Sequence, residues 1–429
     1  MTELRHRALA THTALPWPHP SDDIWRRTDV SWLNPTAGFS PLPLSALNGL
    51  LTHASRLRPF LQPLGDEHLI IRANGQWLTH RSGALSSLAS VERIAGAIVV
   101  EDLHRAAQEQ PEPIRQIMEA DGLTPAEQKF TSLNTAFHHD GVVVRVPEGI
   151  TEPRPVRLVH IWSVGDKQAV FPMTVITVGA GSTLTLVDEY LSESAAVSGS
   201  EPPEAHVINA RIELVLEPDA HVRYVRLQRW DPMAREFLLQ RATLARGATL
   251  TMVNLNLGAL LSKAHILTKL LGEHATTQLS GFVFGHGRQH IDQHTVQDHQ
   301  APYTSSDLQF RAALQDQSRM IYTGLIRIAK NATQTTAFQA NHNLLLSHTA
   351  KAETIPMLEI LADDVQCKHG ASIGPIDEEH VFYLQSRGIP RAHAERLIVM
   401  GFVESVIQQV PFEPLQQRLR EEIEGNLTT

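Results

Sequence analysis

From Gly141 to about Ile376 the apolar positions fall in short runs of four to seven residues rich in Val, Ile, Leu and Thr, with no sustained helical period. VVVRV, RLVHIW, MTVITV, STLTLV, RIELVL, VRYVRL, TLTMVNL and GLIRIA are the plainest of them. Runs of this length, rich in β-branched residues and bounded by turn residues, predict strands. Small-residue turn signals recur between them at Ala180-Gly181, Asp219-Ala220, Gly247-Ala248, His274-Ala275 and Asn331-Ala332. The steps from Ala220 to Ala248 and from Ala248 to Ala275 are nearly equal, and the step from Ala275 to Ala332 is twice as long, two further turns at the same period. The step from Ala180 to Ala220 is half as long again as its neighbours because it holds SESAAVSGSEPPEAH, which reads as a polar loop inserted into one turn.

A period of this kind, within the range of roughly 20 to 50 residues that marks repeat architectures, predicts a solenoid. Because its units contain only strands, the expected object is a parallel β-helix of roughly eight coils stacked about 4.8 Å apart. The rival, a β-sandwich, would place turns every 8–12 residues or so, at roughly a third of the observed spacing. That spacing and the scarcity of Asn-Gly and Asp-Gly hairpin turns within the region favour the β-helix. The ends of such a rod expose strand edges that must be capped or paired with another chain.

The flanks differ in character. Residues 1–130 read as a mixed, largely helical region. Its first stretch, with LPWPHP and SDDIWRRTDVSWLNP, should be ordered only by docking its aromatics onto something else. Partly helical patterns run from Leu42 to Leu64 and from Ile98 to Met118, broken by Pro59, Pro63, Pro111 and Pro113, and residues 69–100 have room for a few strands. After the core (131–376), residues 377–429 read as helical: Asp377 caps a helix over Glu378 to Arg387 closed by Gly388, and Pro390 starts another to about Gln409. In that second helix the face of Leu397, Ile398, Phe402 and Ile407 needs a partner.

Composition narrows the function. At 429 residues with 42% hydrophobic content the chain can bury a large core, and its net charge of −9 argues against a general nucleic-acid surface. No apolar run approaches the length of a membrane span and MTELRHRALATHTALPW lacks a signal-peptide core, so the expected location is cytoplasmic, with no membrane contact. The dipeptide Gly-Lys never occurs, and neither G-x-G-x-x-G nor H-E-x-x-H is found, which excludes a Walker loop and the common dinucleotide and zinc-protease signatures. Gly370 to Gly374 reads GASIG, formally a nucleophile-elbow pattern with Ser372 at its centre, but the strand-only context lacks the α/β sheet an elbow needs, so the glycines read as turn residues.

Two clusters carry candidate chemistry. Within GHGRQHIDQHTVQDHQ, His290, Asp292 and His294 alternate and would share one strand face able to hold a metal, although 23 histidines leave several to solvated faces. Cys367 is the single cysteine, so no internal disulfide and no four-cysteine metal site can form within one chain. It follows the segment Leu358 to Gln366; read as one strand, this puts Cys367 and His369 on one face about 6.5 Å apart, with Gln366 and Lys368 on the other. A lone cysteine is most often a small buried hydrophobe; beside an imidazole it can also be an activated thiolate.

The motifs QANHNLLLS, AETIPMLEI, ADDVQCKHGASIG and FYLQSRGI, with IDQHTVQDH and the N-terminal IWRRTDV upstream, resemble the SufB/SufD family of iron–sulfur cluster assembly proteins. The resemblance spans about residues 130–410 and is densest from 290 to 410. It implies a mainly β fold, a right-handed parallel β-helix core with an N-terminal mixed or helical region and a C-terminal helical region. It also implies a non-enzymatic scaffold of the family's shorter subunit type, which pairs through its β-helix with a SufB-like subunit and docks a SufC-like ABC ATPase on its C-terminal helices. Such a chain binds no nucleotide itself, and a homodimer in isolation is compatible with it. The family's functional histidine falls on His369, an iron or cluster ligand at the subunit interface for a nascent iron–sulfur cluster shared with the partner; Cys367 is the motif's cysteine, with a less defined role. Lys368 stands where the family pattern suggests a small polar residue. Two other readings stay open: a purely structural β-helix subunit, or a β-helix enzyme acting on polysaccharide, for which Asp363-Asp364 and the run Asp377 to Glu379 would be the nearest acids.

Overall fold

A computed structural model of the chain describes residues 2–33, 38–42, 57–81, 84–87, 91–94, 97–119, 123–138, 141–194 and 205–427. From Gly141 onward, strands alternate between two sheets apart from the short Gln168–Val170, which shares the first sheet with Met173–Val178, and up to the last coil the strands pair in parallel one coil later. His206 faces Ala234, Arg235 faces Leu261, and Leu261 faces His290. Eight strand pairs follow one another, from Gly141–Val146 with Val156–Val164 to Lys351–Ile360 with Val365–Pro375, so the solenoid makes seven coil-to-coil steps.

The turn signals read from the sequence mark one corner of the rod. Gly181, Asp219, Gly247, His274 and Tyr303 all adopt positive φ. After each comes a small residue buried in the corner: Ser182, Ala220, Ala248, Ala275 and Thr304. The rungs are tied by backbone bonds, Asp219 N–H donating to Arg246 O and Gly247 N–H to Glu273 O, both at 2.9 Å. Gly247 suits its position because φ of +67° is a conformation L side chains rarely adopt. One assignment is only part of its corner. Asn331-Ala332 does turn, Ala332 N–H donating to Ala329 O at 2.9 Å, but the register equivalent of the other corners comes three residues later at Gln334-Thr335, where Gln334 has φ of +57° and Thr335 Oγ1 lies 3.0 Å from Thr304 Oγ1. The turn missing between His274 and Asn331 is Tyr303-Thr304. Most of the inserted loop in SESAAVSGSEPPEAH lies outside the described residues.

Alternation sorts each strand between the interior and an outer flank. Leu308, Phe310 and Ala312 enter the main core between the sheets, whereas Ala313 faces outward into a second core. The outer flank of the second sheet is covered by the C-terminal helices Arg391–Ile407 and Glu413–Asn426, whose Val399, Val403, Leu415, Leu419 and Ile423 pack on Val225, Val253 and Phe282. The packed face of the first of these helices is centred on Val399, Val403, Val406 and Ile407; of the expected face, Ile407 is buried in it and Phe402 packs at its margin, but Leu397 points to solvent. Asp377 caps the preceding helix, Glu378–Ser386, by accepting from Glu379 N–H at 2.9 Å, and Gly388 closes it with φ of +84°.

The N-terminal region is less helical than the pattern suggested. Helices cover Thr2–Ala14, Leu103–Glu109, Pro111–Glu119 and Pro125–Phe137, but His68–Ala73, Gln76–Arg81, Val91–Ile94 and Ile98–Asp102 are strands that extend the two sheets. Ile98 to Asp102 is a run of β-formers ended by Asp102, which caps the next helix through His104 N–H at 2.8 Å. Pro111 opens a helix instead of interrupting one, as proline does at a first turn, and Pro125 likewise stands at the start of the next. The expected helix from Leu42 to Leu64 falls mostly outside the described residues. Trp25 docks as expected, stacked on Phe130 at 5.1 Å and 10°, with Phe130 stacked on Phe237 of the first sheet at 4.5 Å.

Candidate functional site

Cys367 and His369 sit on Val365–Pro375, the last strand of the second sheet. The segment expected as one strand ending at Gln366 is instead the strand Lys351–Ile360, a turn over 361–364, and the start of the final strand. Acids explain the break: Asp363 and Asp364 solvate the turn, and Asp364 O accepts Gln334 N–H at 2.7 Å. Gly370 and Gly374, expected to bend the chain, lie within the strand without positive φ. GASIG is therefore straight, and Ser372 stands on a strand face 2.7 Å from His342 Nδ1 instead of on an elbow.

Register fixes where the side chains point. Ala337, Gln339 and Asn341 face Cys367, His369 and Ala371 across the ladder. Their own partners one coil back are Ser306, Leu308 and Phe310, which look into the rod. Cys367 and His369 thus share the interior-facing side of the last coil, while Lys368 is outside, its ammonium 5.9 Å from the Phe338 ring centre. No further coil covers them among the described residues, so His369 is exposed despite its inward register. Cys367 is half-buried against Ile326, Ile328, Ala337 and Val365, and this burial pushes its thiol up from the ordinary value. That is the opposite of an activated thiolate.

The interior of the coil beneath carries a row of amides. Gln339 Nε2 donates to Gly324 O at 3.1 Å, Asn341 Nδ2 to Phe310 O at 3.3 Å, and Asn343 Nδ2 to Asn341 Oδ1 at 2.6 Å. Above it the end of the rod is open: Leu358, Ile360, Leu361 and Ile373 are exposed, and the outer edges of two strands of 10 and 11 residues carry no ladder partner among the described residues. One imidazole and one thiol on such a strand are two ligands of an incomplete sphere; a cluster there needs thiolates from elsewhere. Nearby, Phe382 and Tyr383 of the helix Glu378–Ser386 are 72% and 57% exposed, a second uncovered apolar surface.

The trio His290, Asp292 and His294 does share one strand face, yet it does not converge. Asp292 is held by Lys263 Nζ at 2.7 Å and by Thr28 Oγ1 at 2.5 Å, and His290 Nε2 lies 3.1 Å from Thr28 Oγ1. His294 instead approaches Glu127 and His265, two residues the sequence reading did not single out. A signal for one of them was present: His265 precedes His294 by one coil of the rod, and the two are register partners. The acids that a polysaccharide-active reading would use are spoken for, Asp363-Asp364 in a turn and Asp377 as a helix cap.

Comparison with known proteins agrees with this geometry. A family model described as the SUF system FeS cluster assembly SufBD core domain matches residues 161–402, and one for the SufBD protein N-terminal region matches residues 61–158. An iron–sulfur cluster assembly SufBD family protein of Synechocystis is 25% identical over 411 residues, covering 95% of this chain and 87% of that protein. The iron–sulfur cluster assembly protein SufD of Escherichia coli is 27% identical over 293 residues, covering 68% of this chain and 67% of its own. A SufBD family protein of Staphylococcus saprophyticus is 26% identical over 333 residues, 77% of this chain and 70% of that one.

Proposed function

Since the chain belongs to the SufBD family of iron–sulfur cluster assembly proteins, we propose that it is the SufD-type scaffold subunit of a cytoplasmic assembly complex. In this reading it joins a SufB-type subunit at the open end of its rod, docks a SufC-type ATPase on its C-terminal helices, and lends His369 to the nascent cluster. The supporting observation is the last coil, which combines free strand edges, exposed Leu358, Ile360 and Ile373, and an imidazole that would face a partner's coil. Unpaired parallel edges of that length invite a strand from another chain. The exposed Phe382 and Tyr383 lie on the helical part assigned to the ATPase.

Mechanically, ATP-driven pairing of the ATPase subunits strains the two rods apart and lets iron and sulfide reach the interface. A neutral imidazole is a competent iron ligand, and thiolates from the partner complete the sphere. Cys367, packed and with its thiol pushed up, fits a structural part better than a ligand's part.

The test is anaerobic co-purification of His369→Ala with SufB- and SufC-type partners, followed by an absorption spectrum. The variant should fold and bind both partners while failing to support cluster formation. Cluster assembly at the normal rate would refute the ligand role, and failure to bind the partners would move His369 into the docking surface itself.

A further inference from the structure

On the first sheet, two coil steps in from the open end, the outer flank brings three ligand-bearing side chains together. Thr124 and Glu127 cap the helix Pro125–Phe137 reciprocally: Glu127 N–H donates to Thr124 Oγ1 at 3.4 Å, and Thr124 N–H donates to Glu127 Oε2 at 2.7 Å. The cap fixes the carboxylate and leaves Oε1, which lies against His265 Nδ1. His265 and His294 stand side by side on adjacent strands, their ring centres 4.6 Å apart at 76°. One ligand atom from each of the three residues lies within 4.8 Å of the others. Ligands on a single tetrahedral ion stand about 3.4 Å apart at bond lengths near 2.1 Å, so side-chain adjustments of under about 1 Å would close the set.

What these groups lack is as informative as what they hold. Among the described residues, neither nitrogen of His294 nor Nε2 of His265 has a hydrogen-bond partner, although all are buried. Buried polar atoms are rarely left so, and the carboxylate contact at His265 Nδ1 accounts for none of these three. The neighbouring Lys263 is tied to Asp292 and to Ile24 O. A cavity of about 430 Å³, lined by Trp17, Asp22, Asp23, Leu325 and Arg327, gives access from outside.

We propose that Glu127, His265 and His294 bind a divalent first-row transition-metal ion, with its remaining positions open to this cavity. Two imidazoles and one carboxylate are a donor set that takes iron(II) or zinc(II), and three protein ligands leave room for an exchangeable one. The proposal does not depend on the assembly role assigned above, and it places a metal on the outer flank of the first sheet, whereas His369 is on the last strand of the second.

Metal-stripped full-length chain carrying Cys367→Ser and His369→Ala removes any contribution from the open end. Anaerobic titration with Co²⁺, then Fe²⁺ and Zn²⁺, should give one ion per chain with cobalt ligand-field bands, the two latter arms deciding which ion the site prefers. His294→Gln and Glu127→Gln should each weaken binding at least about tenfold, the loss expected when even a supporting partner of a metal ligand is removed. Should a variant fail to fold, the parent carries the test alone: Zn²⁺ should raise its melting temperature and Mg²⁺, which prefers an all-oxygen shell, should not. Substoichiometric binding, unchanged affinity in both folded variants, or no thermal shift with Zn²⁺ would overturn the proposal.

Discussion

The two ends of the rod handle the same physical problem in opposite ways. At the N-terminal end both sheets switch from parallel to antiparallel pairing, His68–Ala73 with Gln76–Arg81 on one and Ile98–Asp102 with Gly141–Val146 on the other, and finish in strands of four residues. Short terminal strands present few unpaired groups. At the C-terminal end the sheets stop at full length, and the three helices that follow are not spent on closing the coil: two of them lie along the flank. The chain therefore seals one end and one flank from its own residues and leaves the other end to be covered from outside. An end left open beside a long helical tail fits the docking role proposed above, since the material to close it was at hand.

The sealed end owes much of its rigidity to a buried ionic hub, and breaking that hub should have the largest effect. Glu189 accepts from Arg157 at 3.2 Å, from Arg229 at 2.8 Å and from Arg418, while Glu67 holds Arg157 at 2.9 Å and Glu422 holds Arg229 at 2.7 Å. The hub joins the loop before the first strands, three coils of the second sheet and the last helix. Glu189→Gln leaves Arg418 buried without an acid among the described residues. Removing one partner of a buried ion pair costs about 3–5 kcal/mol, and denaturant melts should show a loss of that size. A loss under about 1 kcal/mol would mean that the sealed end is held by packing alone.

Acid sharpens the same point. Burial raises the Glu189 carboxyl, but Arg418, Arg229 and Arg157 outweigh it and bring it from 4.5 to about 2. A depressed carboxyl stabilises the fold above its unfolded value and loses that contribution as pH falls through the folded one. The window is therefore pH 4.5 down to about 2, and the loss about 3 kcal/mol. Buried His299, lowered to about 4 by desolvation and set between Thr304 and Ser306 hydroxyls, acts in the same direction but earlier. It stays neutral while the unfolded chain takes up a proton, so its cost begins near pH 6.5. Urea midpoints from pH 7 to 3 should fall in both proteins above pH 4.5, and more steeply below it in the parent than in Glu189→Gln. Parallel curves throughout would remove Glu189 from the account.

Much of the rod was legible because period-two alternation and one corner per coil are both written in the chain. Ala220, Ala248 and Ala275 are buried at the corner, where successive turns stack and every coil places a small residue. Tyr303-Thr304 escaped notice because a tyrosine at positive φ is not a turn signal. At the candidate site, alternation put Cys367 and His369 on one face, but an extended strand says nothing of which face is interior or whether another coil follows. The trio His290, Asp292 and His294 misled for a related reason. Alternation aligns side chains along one strand, whereas Lys263 and His265 arrive from the neighbouring coil, Thr28 from the N-terminal segment and Glu127 from a helix, and they divide the trio between them. Those partners depend on long-range register, which a local pattern does not carry.

The smallest effect on folding should come from the open end. Ile373 occupies an interior-facing register position yet is 42% exposed, because nothing stacks upon it. Its neighbour in the ladder, Asn343, is already hydrogen-bonded to Asn341 and lends it little apolar cover. A charge placed there meets water in the isolated chain, so Ile373→Asp should change stability by no more than about 0.5 kcal/mol. In a complex the same position would be enclosed against the partner's coil, and a carboxylate buried without a cation is strongly disfavoured. The variant should therefore melt like the parent and lose co-purification with a SufB-type subunit. If Ile373→Asp instead melts as early as Glu189→Gln, the two ends are equally closed and the partner docks somewhere else. If it melts normally and still co-purifies in full yield, the end is open but is not the surface the partner covers.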